Sequence, residues 1–118
     1  MKPGDIYTIT IDSIVQNHSA KELPVIVLNA GHHRYLRLSV VAPVTEWKEH
    51  LDKNPFFVSF ESDGETGLTK KSIIDCFQLR AVSHTKFKEK IGTLSRDKLQ
   101  QIRKSIALIL DIEPEDCE

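Results

Sequence analysis

Ten cationic side chains fall between positions 69 and 104, at Lys70, Lys71, Arg80, Lys86, Lys88, Lys90, Arg96, Lys98, Arg103 and Lys104, against three acidic ones at Asp75, Glu89 and Asp97. This local balance of +7 belongs to a chain whose net charge is −1, so the remainder carries −8. A cationic stretch on a near-neutral protein is the electrostatic footprint of something that handles phosphates. The alternative is that many of these lysines are the solvated face of a helix. His18 lies in a polar stretch, and an imidazole titrating near pH ~6.5 can take or give a proton at neutral pH; a lone loop histidine can equally be a plain surface residue. Trp47, Phe56 and Phe57 offer faces on which bases of a single strand can stack, or they belong to the core. His32 and His33 are neighbours, and side chains adjacent on an extended segment point apart, so no shared metal ion is expected. Neither Cys76 nor Cys117 has a Cys or His at ligand spacing, which argues against zinc, and Cys117 in an acidic tail argues against a structural disulfide. No metal site is expected among these residues, and no cofactor is expected.

These residues must be held by a small scaffold. The 118 residues are 40% hydrophobic and 28% charged, ordinary globular values that suit one domain over residues 1–112 with a short acidic tail over 113–118. No secretory signal and no run approaching ~18 apolar residues is visible, which predicts a soluble protein of the cytoplasm with no membrane partner. From Asp5 to Asp12 apolar and polar residues alternate as in a half-buried strand. Pro24 to Asn29 and Leu36 to Val44 are short, β-branched runs that predict two more, separated by turn residues at 29–33. Thr45 is expected to cap one or two helical turns carrying Trp47 and Leu51 on one face, ended by Pro55. Phe56 to Phe60 and Ser72 to Val82 predict further strands, with a short basic connection after them. Ser95 then caps a helix whose apolar face is Leu99, Ile102, Ile106, Ile109 and Leu110, with Leu94 and Leu99 able to staple its start. The whole is an α+β domain, a small barrel or curved sheet with a C-terminal helix.

Four short motifs in order give that scaffold a likeness. Pro3-Gly4-Asp5-Ile6-Tyr7, Leu23-Pro24-Val25-Ile26-Val27-Leu28-Asn29, the strand ending Val41-Ala42-Pro43-Val44-Thr45, and Cys76-x-Gln78-x-Arg80 followed by Gly92-Thr93-Leu94-Ser95 and one amphipathic helix together resemble the MazF/PemK/Kid toxins, over nearly the whole chain. The resemblance implies the partly open β-barrel of the CcdB/MazF toxin type, closed by a C-terminal helix and paired as a homodimer. It also implies a metal-independent endoribonuclease that cuts single-stranded RNA by attack of the ribose 2′-hydroxyl, and an antitoxin peptide as cognate partner. The family's two key positions are the Arg before the Pro of strand two and the Thr of Pro-x-Thr. Thr45 holds the second, where its hydroxyl and the N–H groups of a following helix would hold a phosphate oxygen. His18 falls where some members carry a histidine that acts as acid or base, and Gln78 and Arg80 would contact RNA.

Two departures stand out. Leu23 occupies the arginine position and can neither grip a phosphate nor move a proton; Lys21, two residues earlier, is the substitute cation the sequence offers, with Arg34 and Arg37 as further RNA-binding candidates. Phe77 stands where an acid usually precedes Gln78. Three functions follow: a ribonuclease toxin using Thr45, His18 and Lys21; a catalytically inactive barrel that binds RNA or a partner peptide; or a gyrase-directed inhibitor like CcdB, which the Gly-x-Leu-Ser ending favours least.

Overall fold

In the computed structural model the described residues are 1–11, 21–29 and 36–113, with Lys21 described by its backbone alone. Seven strands and two helices follow in order: β1 (Asp5–Ile11), β2 (Lys21–Val27), β3 (Leu38–Glu46), α1 (Glu49–Asp52), β4 (Phe57–Phe60), β5 (Ser72–Asp75), β6 (Arg80–Ser83), β7 (Phe87–Thr93) and α2 (Arg96–Ile109). The strands form one antiparallel sheet in the order β4-β5-β3-β2-β1-β7. β3 is long enough to serve two partners on one edge: its first half pairs with β6 in the register Val41↔Arg80, and its last residues pair with β5 in the register Thr45↔Ile73. β2 lies on its other edge.

β4 and β7 end the sheet without pairing, so the barrel is open, as the resemblance implies. The connection from β4 to β5 straps across this gap. Asp63 accepts the N–H groups of Glu65 and Thr66, each at 2.9 Å, which folds the connection into a compact turn. The Thr93 N–H then donates to the Glu65 carbonyl at 2.7 Å. The two backbones approach through a pair of glycines: a Cβ on Gly67, whose φ is +72°, would collide with the Ile91 carbonyl, and a Cβ on Gly92 would collide with Glu65 and Thr66.

Two apolar layers form on the faces of this sheet. Ile6, Ile26, Ala42, Val44, Phe60, Ile74 and Cys76 pack together with Ile102 of α2. On the opposite face Ile9, Val25, Val27, Val41 and Val82 make a second cluster, with Tyr7, Leu23 and Phe87 against it. The alternation along β2 and β3 sends successive residues to one cluster and then the other, which is why both strands read as unbroken apolar runs. Ser95 caps α2, its hydroxyl accepting the Lys98 N–H at 3.2 Å, and Leu94 and Leu99 are both buried, as expected. The buried Ser105 hydroxyl donates to the Pro55 carbonyl at 2.8 Å, fixing α2 over the start of β4.

Several expectations are corrected. Thr45 is not a helix cap but the last residue but one of β3; α1 begins four residues later, with Lys48 at its N-cap position and no side-chain cap. Trp47 lies outside that helix. Leu110 follows the end of α2 and is exposed, because the apolar stripe has run out by the last turn. The basic connection after Val82 contains a seven-residue strand, β7, which the edge of β1 draws into the sheet although its own sequence has little apolar alternation. Among the described residues, no helix is long and apolar enough to cross a membrane.

Candidate functional site

Thr45 is exposed. Alternation along β3 puts its side chain on the face of Val41 and Pro43, the face of the second apolar cluster. Backbone pairing between β2 and β3 stops at Val25 and Pro43, where Pro24 and Pro43 have no N–H to give. The same register continued two residues sets Leu23 beside Thr45. Leu23 is half-buried and packs on the second cluster, so at this point the sheet presents a hydroxyl next to a hydrocarbon.

Arg80 stands opposite Val41 and therefore shares the face of Thr45. It is exposed and makes no ion pair with a described residue, so a buried acid is not its partner there. Four residues of β3 separate the two positions, roughly 13 Å at the usual rise of a strand. They cannot hold one phosphate together; they can hold different phosphates of one strand. Gln78 is exposed at the end of a single 3₁₀ turn, Cys76–Gln78. Asp75 builds that turn, its buried carboxylate accepting the Phe77 N–H at 3.0 Å. This throws Phe77 outward, 63% exposed, its ring 5.4 Å from that of Phe56. The residue that displaces the expected acid is thus a surface aromatic set between Gln78 and the Phe56 ring.

The other sequence candidates fall elsewhere. Arg37 is exposed just before β3, and its carbonyl accepts the His84 N–H at 3.1 Å, so it stands at the opposite end of that strand from Thr45. Lys21 opens β2 opposite Ile11, and its side chain is outside the described residues. His18, Arg34, His32, His33 and Cys117 also lie outside them. Trp47 is half-buried with the Lys71 ammonium 4.5 Å above its ring, and Lys71 is also 3.5 Å from Glu61; the indole is a structural shelf rather than a free stacking face.

A cleft of about 330 Å³ lies at the end of β3, lined by Pro24, Thr45, Glu46, Thr69, Lys70 and Ser72. Glu46 and Ser72 are paired in register and share the face of Val44 and Pro24, the side opposite the Thr45 side chain. Across the cleft the Lys70 ammonium stands 3.8 Å from the Glu46 carboxylate, both largely exposed. Sequence reasoning passed over Glu46, which nothing local marks, and counted Lys70 within the cationic stretch without singling it out.

The family described as PemK-like, MazF-like toxin of type II toxin-antitoxin system matches residues 2–110. Solved structures agree at the level of the fold. A MazE–MazF complex from Deinococcus radiodurans superposes with a TM-score of 0.77 at 16% identity, covering 96% of this chain and 97% of that one. An endoribonuclease bound to its cognate antitoxin, from a mycobacterial species, gives 0.73 at 12% identity, with 96% and 97% covered. The Mycobacterium tuberculosis toxin MazF-mt6 gives 0.72 at 21% identity, covering 92% of this chain and 98% of that one. No curated protein sequence matches significantly.

Proposed function

The chain belongs to the PemK-like, MazF-like toxins of type II toxin–antitoxin systems, and from that premise we propose that it cuts single-stranded RNA in the cytoplasm as a homodimer, without a metal, until an antitoxin peptide occupies the same groove. The ribose 2′-hydroxyl attacks the adjacent phosphorus, its proton leaves to a base, the bond to the 5′ oxygen breaks, and that oxygen is protonated. Such a reaction needs groups for the two proton transfers and donors for the charge on the phosphate oxygens. Thr45 donates its hydroxyl to one of those oxygens, and His18 serves in proton transfer with Lys21 as a nearby cation. Arg80 and Gln78 hold the strand further along β3, while Arg34 and Arg37 contact its more distant parts.

The observation that carries this reading is the exposed Thr45 near the end of β3, on the same sheet face as the exposed Arg80. Leu23 favours a second reading, a barrel that binds RNA or a peptide without cutting, because no charge stands beside Thr45 on β2. The test is a long single-stranded RNA incubated with the protein in EDTA. Discrete fragments are expected, and Thr45→Ala should slow their appearance by about 10²–10³-fold, the loss seen when one donor to a developing oxyanion is removed. Its melting temperature should not move, since Thr45 is exposed and surface substitutions usually fall within ~0.5 kcal/mol. Intact RNA with binding retained would establish the silent barrel.

A further inference from the structure

β5 and β6 pair with the same edge of β3, and the chain between them is longer than the edge it follows. From Val44 to Val41 β3 advances three residues, while the facing chain advances six, from Ile74 to Arg80. The three surplus residues are the 3₁₀ turn Cys76–Gln78, which leaves the ladder between the level of Thr45 and that of Arg80. It does so on the Thr45 side of the sheet. Ile73 pairs with Thr45, so Asp75, two residues on, shares that face, and its carboxylate accepts the Phe77 N–H there. Cys76 packs on the opposite face in the cluster with Ile102 of α2, and Arg80 returns to the face of Thr45.

The turn is pinned as well as placed. The Cys76 N–H donates to the Phe56 carbonyl at 3.0 Å, Asp75 holds the Phe77 N–H at 3.0 Å, and the Phe56 ring backs that of Phe77 at 5.4 Å. Phe77 is 63% exposed, whereas Phe56, Phe57 and Trp47 are half-buried, so the ring with an open face is the one the sequence did not offer for stacking. A lone exposed ring on a surface needs no explanation. One held on a fixed turn, followed at once by the exposed Gln78 amide and two residues later by the exposed Arg80, has the makings of a site.

Resting on the ribonuclease reading above, we infer that Phe77 is the platform on which one base of the RNA strand stacks, between the parts of the strand contacted by Thr45 and Arg80, with Gln78 reading that base's edge. The surroundings favour a nucleobase over an apolar side chain. The Gln78 amide offers both a donor and an acceptor, the Arg80 guanidinium matches the phosphate that must follow a base, and the carboxylate of the turn, Asp75, is committed to its own backbone. Every base has a π-face, so Phe77 fixes where the strand lies and Gln78 discriminates among bases. A pinned ring has little freedom left to lose when the base arrives.

The experiment measures binding of a single-stranded RNA oligonucleotide whose sugars carry fluorine in place of the 2′-hydroxyl, so that it is bound and not cut. Single abasic substitutions are walked along it, against wild type, Phe77→Ala, Phe77→Leu and Phe77→Trp. Phe77→Ala should bind the intact oligonucleotide about 5- to 100-fold more weakly, the loss of one base–aromatic stack, with the slope of log affinity against log salt unchanged because no phosphate contact is lost. One abasic position should weaken wild type by a similar factor and leave Phe77→Ala unaffected, since the two changes remove the same contact. Phe77→Trp should keep wild-type affinity, and Phe77→Leu should resemble Phe77→Ala. An abasic profile of the same shape in wild type and Phe77→Ala overturns the assignment, as does a Phe77→Ala variant that sediments as a smaller species, which would place the ring between two copies of the chain. Cleavage of ordinary RNA in EDTA separates the two readings. If wild type cuts and the coupling is absent, the stack falls alone; if the coupling is present and wild type does not cut, the stack stands and the ribonuclease reading falls.

Discussion

Cys76 and Phe77 are neighbours with opposite fates. Cys76 follows Ile74 into the core, while the Asp75 carboxylate ends β5 with a 3₁₀ turn by accepting the Phe77 N–H, and the Phe77 ring is left in solvent. Burial pushes the Cys76 thiol from 9.0 up to about 11, with the Ser105 hydroxyl pulling it slightly down and the nearby Asp75 pushing it up. At a given mildly alkaline pH the folded protein then holds about 100-fold less thiolate at this position than an unfolded chain. Labelling with a thiol reagent at pH 8 should therefore leave Cys76 unmodified in the native protein and modify it fully in denaturant, as mass spectrometry of the core peptide can show. The linkage has a definite sign. Because the folded state keeps its proton longer, this contribution to stability is intact below pH 9 and is lost as pH climbs through about 11. Denaturant titrations should show a shallower alkaline fall in Cys76→Ala than in wild type, whatever the substitution costs at neutral pH.

Among the elements, the strap tests how far a glycine can be a structural requirement. Gly67 and Gly64 lie three residues apart in the same connection, yet a Cβ on Gly64 meets nothing, whereas one on Gly67 strikes the Ile91 backbone at a positive φ. Gly67→Ala should cost at least ~2 kcal/mol and lower the melting temperature by several degrees, while Gly64→Ala should shift it by no more than a degree or so; thermal scans of the two variants check this. The alternating residues of β1, the apolar runs of β2 and β3 and the capped periodicity of α2 were legible because each buries a face that its own sequence displays. β7 was not, since Lys88, Glu89 and Lys90 hide it; its place comes from the free edge of β1 and from the pairing of Lys90 with the buried Asp5 at 3.3 Å. The place of Thr45 within a strand was not legible from local pattern, which suggested a helix cap. The extension of β3 through Glu46 depends on Ser72 and Ile73, nearly thirty residues away, and no local propensity reports such a partner. The place of Lys70 was illegible for the same reason: a loop is brought to the cleft by contacts with β7 that carry no pattern of their own.

For the whole molecule, the charge imbalance seen along the chain becomes an arrangement in space. Lys70 stands in the cleft and Arg80 further along β3, while Lys88 and Lys90 are exposed on the edge strand β7. Affinity for single-stranded RNA should accordingly fall steeply with salt in the wild-type protein, by about 0.7 in log affinity per log salt for each phosphate engaged, and sedimentation should give twice the 13.4 kDa of one chain. A slope near zero would remove phosphates from the account of binding. The strap also sets the order in which the molecule can be made. The loop carrying Lys70 is secured by residues 91–93, and β1 gains its second partner from β7, so the earliest strand and the cleft both wait for the last one. During synthesis the sheet order leaves β1 with an open edge until some ninety residues have emerged from the ribosome, and closing so long a loop is slow compared with local folding. On the proposed ribonuclease reading, a nascent chain stays harmless to RNA until nearly all of it has been translated, and a truncation before β7 leaves both β1 and the strap without the partner that secures them.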